Sequence, residues 1–404
     1  MSKSISDESQ YINRKLDTKI KVLRFSSQEV YNVKTFKKLD QLTYCETLKI
    51  LINQKDSGRL KSWQVYMNDD LFEFEQFITD SPMIQNKWCF ENNIKFLGCF
   101  ETIIEQISIT KPHFVFIHDY TFINEIKMAH LKSMFPTIKW ITYWGIALDE
   151  RKFNWIFLRL FDLVLTPVDS MKKIFDGNGF ESELMTYGII PQHTDIFHDF
   201  PSRRDEVLFA GSINLNLGGK GFGHYQRLFD VIKLAELNKK AIFHTNRQKV
   251  PSLYTVEVKN FYLALKRRWL LSFSGYNKFL ADRVRLPLFG EDYFELLMKH
   301  KVIFNPQTVK HIGNIRFVES AFCGNVTITN LTDKSSLDNI FGVNNYLGYK
   351  TNDDLRNILN NLNKCEYDLQ QMAINSRVNL IKYYDYYAMF DKIKFKLLKL
   401  YNSD

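Results

Sequence analysis

The chain has 404 residues, of which 45% are hydrophobic and 25% are charged. This composition excludes wholesale disorder, and the length predicts two domains of ordinary size. The formal net charge of +9 suits an anionic partner such as a nucleotide, a phosphate or an acidic membrane surface. It falls short of the dense basic runs of a protein that coats nucleic acid, so no nucleic-acid partner is expected.

The first ten residues are polar and lack the apolar segment of a signal peptide. The best apolar stretch, residues 153–168, is interrupted by Arg159 and Asp162, which disfavours a membrane-spanning helix. The five cysteines show no C-x-x-C spacing, so neither a zinc ribbon nor a disulfide framework is expected. These observations together predict a cytoplasmic protein.

Short runs of β-branched and aromatic residues in the first half of the chain predict four strands. They lie at residues 19–26, 113–118, 139–143 and 162–166. Helical patterns separate consecutive runs. This alternation predicts βαβ units and therefore a parallel sheet.

The same alternation restarts after residue 200, with strands predicted at residues 206–210, 241–245, 301–305 and 325–329. Residues 193–204 are polar and include a proline, which predicts a linker. The pattern therefore predicts an α/β domain over residues 1–195, a hinge over 196–205 and a second α/β domain over 206–380. A final helix is predicted within residues 381–404, where apolar residues recur at helical spacing among lysines.

Open parallel sheets bind ligands beyond the carboxyl ends of their strands, so the residues that follow each strand are site candidates. The strand at 206–210 runs into Gly211 and Ser212, and a glycine-rich loop with Lys220 precedes a helix that carries Arg227. Backbone N–H groups of such a loop hold a diphosphate, and the two cationic side chains would add charge. A surface loop with glycines for its turns explains the pattern equally well.

A second candidate follows the strand at 301–305. Gly313 and Asn314 stand at a predicted helix start, which favours an anionic group, and Arg316 would bind phosphate. Glu319, one turn later, would accept hydrogen bonds from sugar hydroxyls. The alternative is a surface salt bridge between Arg316 and Glu319 at i, i+3 spacing.

The first half offers an acceptor side. His118 and Asp119 follow a predicted strand and are candidates for the general base that takes the proton of an acceptor hydroxyl. Trp144 and Asp149 follow the next strand and would line the acceptor site, where an aromatic face stacks on a sugar ring. A hydrogen-bonded loop residue at His118 and a core position for Trp144 are the structural alternatives.

Residues 287–330 resemble the donor-binding half of GT-B glycosyltransferases, and most closely the CgeB-like group related to glycosyltransferase family 4. The shared pattern is a glycine after a strand, a strand that ends in Asn, a G-N-x-R-x-x-E run and a glycine turn. The matching residues are Gly290, Tyr293, Asn305, Gly313, Asn314, Arg316, Glu319 and Gly324. The resemblance implies a GT-B architecture, in which two Rossmann-like domains with parallel sheets face each other across a cleft.

The resemblance also implies roles for single residues. Glu319 matches the second glutamate of the family 4 E-x7-E pattern and would contact the donor ribose, whereas His311 stands where the first glutamate is expected. Lys220, Arg227 and Arg316 would serve the diphosphate. GT-B enzymes generally need no bound metal or cofactor, because the nucleotide sugar itself is the donor substrate. The final helix would return to the first domain.

The function implied is metal-independent transfer of a sugar, such as a hexose, from a nucleotide sugar to a glycan or lipid-linked hydroxyl acceptor in cell-surface polysaccharide or glycolipid biosynthesis. Two basic and aromatic segments, residues 151–161 and 259–273, would suit peripheral contact with an anionic membrane at its inner face. Buried helices with solvated basic edges explain both segments as well. The alternative function is a non-catalytic binding protein of the surface or spore-coat type that keeps the GT-B fold.

Overall fold

A computed structural model describes most of the chain, and its two halves each contain one sheet. Within the described residues there are two six-stranded sheets, and every pair of neighbouring strands is parallel. The described residues are 18–26, 41–54, 59–118, 122–145, 154–167, 169–185, 200–211, 222–245, 284–285, 290–307, 315–331, 334–383 and 386–403.

The first sheet and its helices occupy the first half of the chain. The strands are β1 (Ile20–Ser26), β2 (Phe72–Ile78), β3 (Phe114–Ile117), β4 (Lys139–Tyr143), β5 (Leu163–Thr166) and β6 (Ser182–Leu184). The helices are α1 (Tyr44–Gln54), α2 (Arg59–Met67), α3 (Pro82–Glu91), α4 (Cys99–Thr110), α5 (Glu125–Met134), α6 (Trp155–Leu158) and α7 (Asp169–Gly177). The strand order across the sheet is β2-β1-β3-β4-β5-β6.

The second sheet begins after residue 200. Its strands are β7 (Leu208–Ala210), β8 (Ile242–His244), β9 (Val284–Arg285), β10 (Val302–Phe304), β11 (Val326–Asn330) and β12 (Leu347–Tyr349). The helices are α8 (Phe222–Leu237), α9 (Gly290–Met298), α10 (Ile315–Phe322), α11 (Lys334–Phe341), α12 (Asn352–Asn363), α13 (Leu369–Tyr383) and α14 (Tyr386–Tyr401). The strand order across the sheet is β12-β11-β10-β7-β8-β9.

All eight strands predicted from the sequence are present, with ends that differ by at most two residues. The predictions missed β2, β6, β9 and β12. In β2, buried Phe72 and Phe74 alternate with exposed Glu73 and Glu75, so its period of two was the available signal. The other three strands have two or three residues, which is too short to show a period.

Each sheet has one topological switch point, where the chain reverses the direction in which it adds strands. In the first sheet the switch lies between β1 and β3, and in the second between β7 and β10. Ligands of open α/β sheets bind in the crevice beyond the carboxyl ends of the strands at such a point. The fold therefore selects two places for a site, one in each half of the chain.

The second sheet buries a different apolar cluster on each face. Strand residues such as Phe209 and Phe304 pack with Leu228 of α8 on one face. Leu208 and Ile303 pack with α9 on the other face. Because side chains alternate along a strand, residues next to each other at a strand end point to different faces. The switch point can therefore receive side chains from helices on both faces.

Helix α14 packs on the first sheet although it follows the second sheet in the chain. Phe390, Ile393 and Leu397 are fully buried against residues of β1, β3 and β4. The Lys394 ammonium also donates to the Asp69 carboxylate at 2.6 Å. Since α13 contributes to the core of the second sheet, the segment between α13 and α14 links the two halves.

The last residues of the predicted linker are part of a core. Phe200 is buried among residues of the second sheet. The guanidinium group of Arg203 donates to the carbonyl oxygens of Cys323 and Gly324 at 2.8 and 3.0 Å. These bonds satisfy carbonyl groups at the end of α10, where helices leave such groups without partners. Gly324 follows with φ +66°, the left-handed conformation in which a glycine commonly ends a helix.

Candidate active site

Gly211, directly after β7, lies against the guanidinium group of Arg316. An ideal Cβ built on Gly211 would lie 2.1 Å from Arg316 Nη1 and 2.8 Å from its Cζ. Only a residue without a side chain permits this approach. The Gly211 N–H donates to the carbonyl oxygen of His244 on β8 at 2.9 Å, which fixes the turn. The strand end therefore presents bare backbone and a cation side by side, an arrangement that suits a phosphate.

Arg227 brings a second cation to the same switch point. It lies on α8, next to Leu228, and is 2% exposed. Its Nε and Nη2 donate to the carbonyl oxygen of Pro306, just beyond β10, at 3.3 and 3.2 Å. Burial and then the positive charge of Arg316 lower the pKa of Arg227 well below its usual value. An anion bound here would relieve the repulsion between the two guanidinium groups.

Glu319 lies one helical turn after Arg316 on α10 and is 5% exposed. The hydroxyl group of Tyr293 on α9 donates to Glu319 Oε2 at 3.0 Å. Burial and then the charge of Glu319 raise the pKa of Tyr293 well above its usual value, so the phenol stays protonated and keeps donating. The sequence also suggested a surface salt bridge between Arg316 and Glu319. Glu319 is buried, so it is not a surface residue. Tyr293 matched the family pattern, but no local sequence signal predicts its contact with Glu319, which lies 26 residues later on another helix.

His118 lies at the switch point of the first sheet. The backbone N–H of His118 donates to the carbonyl oxygen of Phe25 at 2.9 Å, which continues the pairing of β1 and β3. Its imidazole ring stacks on the ring of Tyr143, with centroids 4.8 Å apart and an interplanar angle of 9°. Phe116 contacts the imidazole edge-on at 5.5 Å. Aromatic contacts on two sides hold the ring of this candidate base, and the role of Tyr143 was not predicted from the sequence.

Trp144, a predicted acceptor-side residue, is half-buried and packs with an apolar cluster between β5 and α7. The backbone N–H of Trp144 donates to the carbonyl oxygen of Leu165 at 2.7 Å. Seven other predicted site residues lie outside the described part of the chain: Asp119, Asp149, Ser212, Lys220, His311, Gly313 and Asn314. The described candidates therefore form two groups, Gly211, Arg227, Arg316 and Glu319 on the second sheet and His118 and Trp144 on the first.

Among the described residues, no group of three or more His, Cys, Asp or Glu side chains is arranged to hold a metal ion. The five cysteines are free thiols. No helix in the described ranges combines the length and apolar character needed to cross a membrane.

Solved structures of glycosyltransferases share the fold of this chain over nearly its whole length. Anabaena HepE in complex with UDP is 12% identical, with 94% of this chain and 99% of that chain covered and a TM-score of 0.52. Sucrose-phosphate synthase from Thermosynechococcus elongatus is 12% identical, with 96% and 100% covered and a TM-score of 0.54. A glycosyltransferase from Rickettsia africae is 13% identical, with 96% and 99% covered and a TM-score of 0.51.

The chain has the GT-B fold. The predicted α/β class with two parallel-sheet domains is thereby confirmed. No family profile matches the sequence, and a search of curated protein sequences returns no match. The resemblance to the CgeB-like group and to glycosyltransferase family 4 therefore stays a prediction, as do the residue roles that it implies.

Proposed function

We propose that the protein is a glycosyltransferase that moves a sugar from a nucleotide-sugar donor to a hydroxyl acceptor. The observation that carries the proposal is the meeting of Arg316 and Arg227 at the β7/β10 switch point, beside the bare backbone of Gly211. A diphosphate is the part of a nucleotide sugar that two guanidinium groups recognise best, because each can bind phosphate oxygens with paired N–H groups.

The same cations serve the chemical step. When the bond between sugar and diphosphate breaks, negative charge accumulates on the departing nucleoside diphosphate. Arg227 is held in place before that charge forms by its bonds to the Pro306 carbonyl oxygen and by its almost complete burial, and Arg316 lies close to it. Fixed donors in a water-poor site stabilise developing charge more than solvated ones do. The protein therefore needs no further cation to explain release of the leaving group.

Glu319 would bind the ribose of the donor. Its Oε2 accepts from Tyr293, and a carboxylate has further lone pairs with which to accept from ribose hydroxyls. Structurally similar proteins bind UDP, UDP-glucose or UDP-2-fluoro-glucose. We therefore propose a uridine diphosphate sugar, with a hexose as the transferred group.

The acceptor would bind at the first sheet. The imidazole of His118, fixed by its stack on Tyr143, would take the proton of the acceptor hydroxyl as that oxygen attacks the sugar. Asp119 follows it in sequence and is the other candidate for this step. The acceptor class that we propose is a glycan or a lipid-linked sugar, in the assembly of a cell-surface polysaccharide or glycolipid.

A lipid-linked acceptor would require contact with a membrane, and the surface at the start of α5 and α6 suits one. Ile126 and Ile156 are 81% and 73% exposed. The amide of Asn154 donates to the carboxylate of Glu125, which brings the two helix starts together. Arg159 is exposed at the end of α6. Flotation with acidic liposomes at low salt tests the contact, which is contradicted when all protein stays in solution.

A thermal-shift panel of UDP, GDP, UDP-glucose and GDP-mannose tests the proposed function. A ligand that binds only the folded protein raises its melting temperature by mass action, so the matching donor should stand out. Release of free nucleoside diphosphate from that donor then measures turnover. Selective binding without any release would favour the non-catalytic binding protein instead. A panel without any selective shift would contradict both functions.

A further inference from the structure

The chain just beyond β10 is held rigidly by hydrogen bonds to its backbone. The Asn305 N–H donates to the carbonyl oxygen of Ile328 at 2.9 Å. The Pro306 carbonyl oxygen accepts from Arg227. The Gln307 N–H donates to Asn330 Oδ1 at 2.5 Å, and Asn330 Nδ2 donates back to the Gln307 carbonyl oxygen at 3.4 Å. Three consecutive residues are thus fixed by two neighbouring elements.

The side chains of Asn305 and Gln307 are buried and contain polar atoms without hydrogen-bond partners among the described residues. Asn305 is 2% exposed, and neither Oδ1 nor Nδ2 of its carboxamide has a hydrogen-bond partner among the residues that the structure describes. Gln307 is 4% exposed, and its Oε1 likewise has none in the described part of the chain. Most buried polar side-chain atoms in folded proteins are paired, so three unpaired atoms in three residues call for a reason.

These side chains stand at the switch point itself. Ile303 of β10 pairs with Leu208 of β7, and continuing that register by two residues would place Asn305 beside Ala210, the residue before Gly211. The backbone N–H groups of Asn305 and Gln307 bond to Ile328 and Asn330 of β11, so the chain continues beside that strand and the two side chains, two residues apart, are expected on one side. The unpaired amides therefore lie next to the turn that Arg316 contacts.

We propose that the carboxamides of Asn305 and Gln307 form a recognition subsite for an uncharged hydrogen-bonding group of the nucleotide sugar. This inference rests on the proposed function. Arg227 and Arg316 already supply cations for the diphosphate, whereas a carboxamide offers both donors and an acceptor and no charge. Two parts of the donor match that chemistry, namely the hydroxyl groups of the sugars and the imide edge of the base.

The cost of leaving these amides unpaired predicts an unusual signature. A buried polar group without a partner lowers the stability of the ligand-free protein, and replacing it by an apolar group of the same shape removes that penalty. Asn305→Leu and Gln307→Met keep the approximate side-chain volume. Each should leave the melting temperature of the ligand-free protein unchanged or higher, while weakening donor binding about tenfold or more through lost hydrogen bonds.

Asn325→Leu, at the residue just before the neighbouring strand β11, is the matched control. Asn325 is fully buried, and its Nδ2 donates to the carbonyl oxygens of Leu297 and His300 at 2.8 and 2.6 Å. Its replacement removes the partner of the His300 carbonyl oxygen and one of the two donors to the Leu297 carbonyl oxygen, which also accepts from the His300 N–H at 3.1 Å, so the ligand-free melting temperature should fall. The contrast between Asn325→Leu and Asn305→Leu separates an amide kept for structure from one kept for a ligand.

Calorimetric titration of the full chain with UDP, UDP-glucose, GDP and GDP-mannose identifies which part of the donor the two amides bind. Equal weakening for a diphosphate and its sugar conjugate assigns the amides to the nucleoside, and weakening for the conjugate alone assigns them to the transferred sugar. Wild-type affinity in both variants overturns the subsite and leaves the proposed function standing. So does a marked loss of ligand-free stability in Asn305→Leu. Wild-type protein that binds no probe overturns the proposed function and the subsite together.

Discussion

The two switch points share one topology but carry different chemistry. At β7/β10, Arg316 lies against backbone that has no side chain, and Arg227 is turned to a carbonyl oxygen. At β1/β3, the buried cation is Arg24, whose guanidinium carbon lies 5.5 Å from the ring centroid of Trp63 and 5.6 Å from that of Phe116. Aromatic faces stabilise a cation, so the charge of the first sheet lies against rings while that of the second lies at the strand end.

This difference assigns different tasks to the two sheets. The second sheet offers cations and amides at its strand ends, which suits binding of a charged donor. The first sheet places an imidazole on an aromatic stack at the corresponding position, which suits proton transfer from a neutral hydroxyl. We therefore expect substitutions at the first switch point to change turnover and substitutions at the second to change donor affinity.

His118→Ala should give the largest effect. Loss of a general base lowers kcat by about 10²- to 10⁴-fold, while the dissociation constant of the donor stays unchanged, because His118 belongs to the other sheet. Steady-state turnover and calorimetric donor titration on the same preparation measure both. His130→Ala, which removes an exposed imidazole of α5, is the control. A matching loss of donor affinity in His118→Ala would break the separation of tasks.

Gly211→Ala should act on the second sheet alone. The added Cβ would meet the guanidinium end of Arg316, a flexible group that can swing away at little cost to folding. Loss of its phosphate contacts should weaken donor binding by about 10- to 100-fold, as expected for a hydrogen bond between charged groups. Calorimetry measures the affinity and thermal denaturation the stability.

Gly177→Ala is the matched control for that substitution. A Cβ at Gly177, at the end of α7, would meet no atom within 4 Å. Donor affinity should therefore equal that of the wild type. If Gly211→Ala also binds the donor with wild-type affinity, Arg316 is not a phosphate ligand.

Glu319→Ala should have an effect of similar or smaller size on donor affinity. The substitution removes the carboxylate and with it the proposed hydrogen bonds to ribose, which should weaken donor binding by roughly tenfold. The 2′-deoxy analogue of the donor gives the decisive measurement, because it should bind wild type and variant more equally than the ribose form does. Glu295→Ala on α9, whose exposed carboxylate pairs with Lys299, is the control. An unchanged affinity for the ribose form would contradict the ribose contact.

The sequence predicted the parallel sheets well because their central strands are apolar runs. It predicted Gly211 and Arg316 as site residues separately, but their contact joins positions more than a hundred residues apart, which no local pattern shows. Arg227 was predicted as a phosphate ligand, yet its burial and its bond to Pro306 depend on packing of α8 against β10. Tyr293 and Asn305 matched the family pattern without an assigned contact, and Gln307 was not singled out, since a buried unpaired amide looks like any other amide in a sequence.

Lys394→Met should have the smallest effect, on the link between the two halves. Lys394 of α14 donates to Asp69 at 2.6 Å, and both groups are partly exposed. Burial alone would raise the pKa of Asp69, but the hydrogen bonds from Lys394 and from backbone N–H groups outweigh it and lower the pKa. Exposed ion pairs contribute about 0.2–1 kcal/mol, and Met keeps the apolar stem of the lysine in place. We therefore expect Lys394→Met to decrease the free energy of unfolding by an amount within that range.

The pH dependence of this small loss identifies its cause. A carboxyl group with a lowered pKa in the folded state stabilises the fold above its unfolded pKa of about 3.9. That contribution disappears as the pH falls through the folded pKa, so wild type and Lys394→Met should converge in strongly acidic solution. Lys392→Met, which removes an exposed lysine of the same helix, should match the wild type at neutral pH. A difference between wild type and Lys394→Met that persists below the folded pKa would contradict the ion pair with Asp69 as the source of the lost stability.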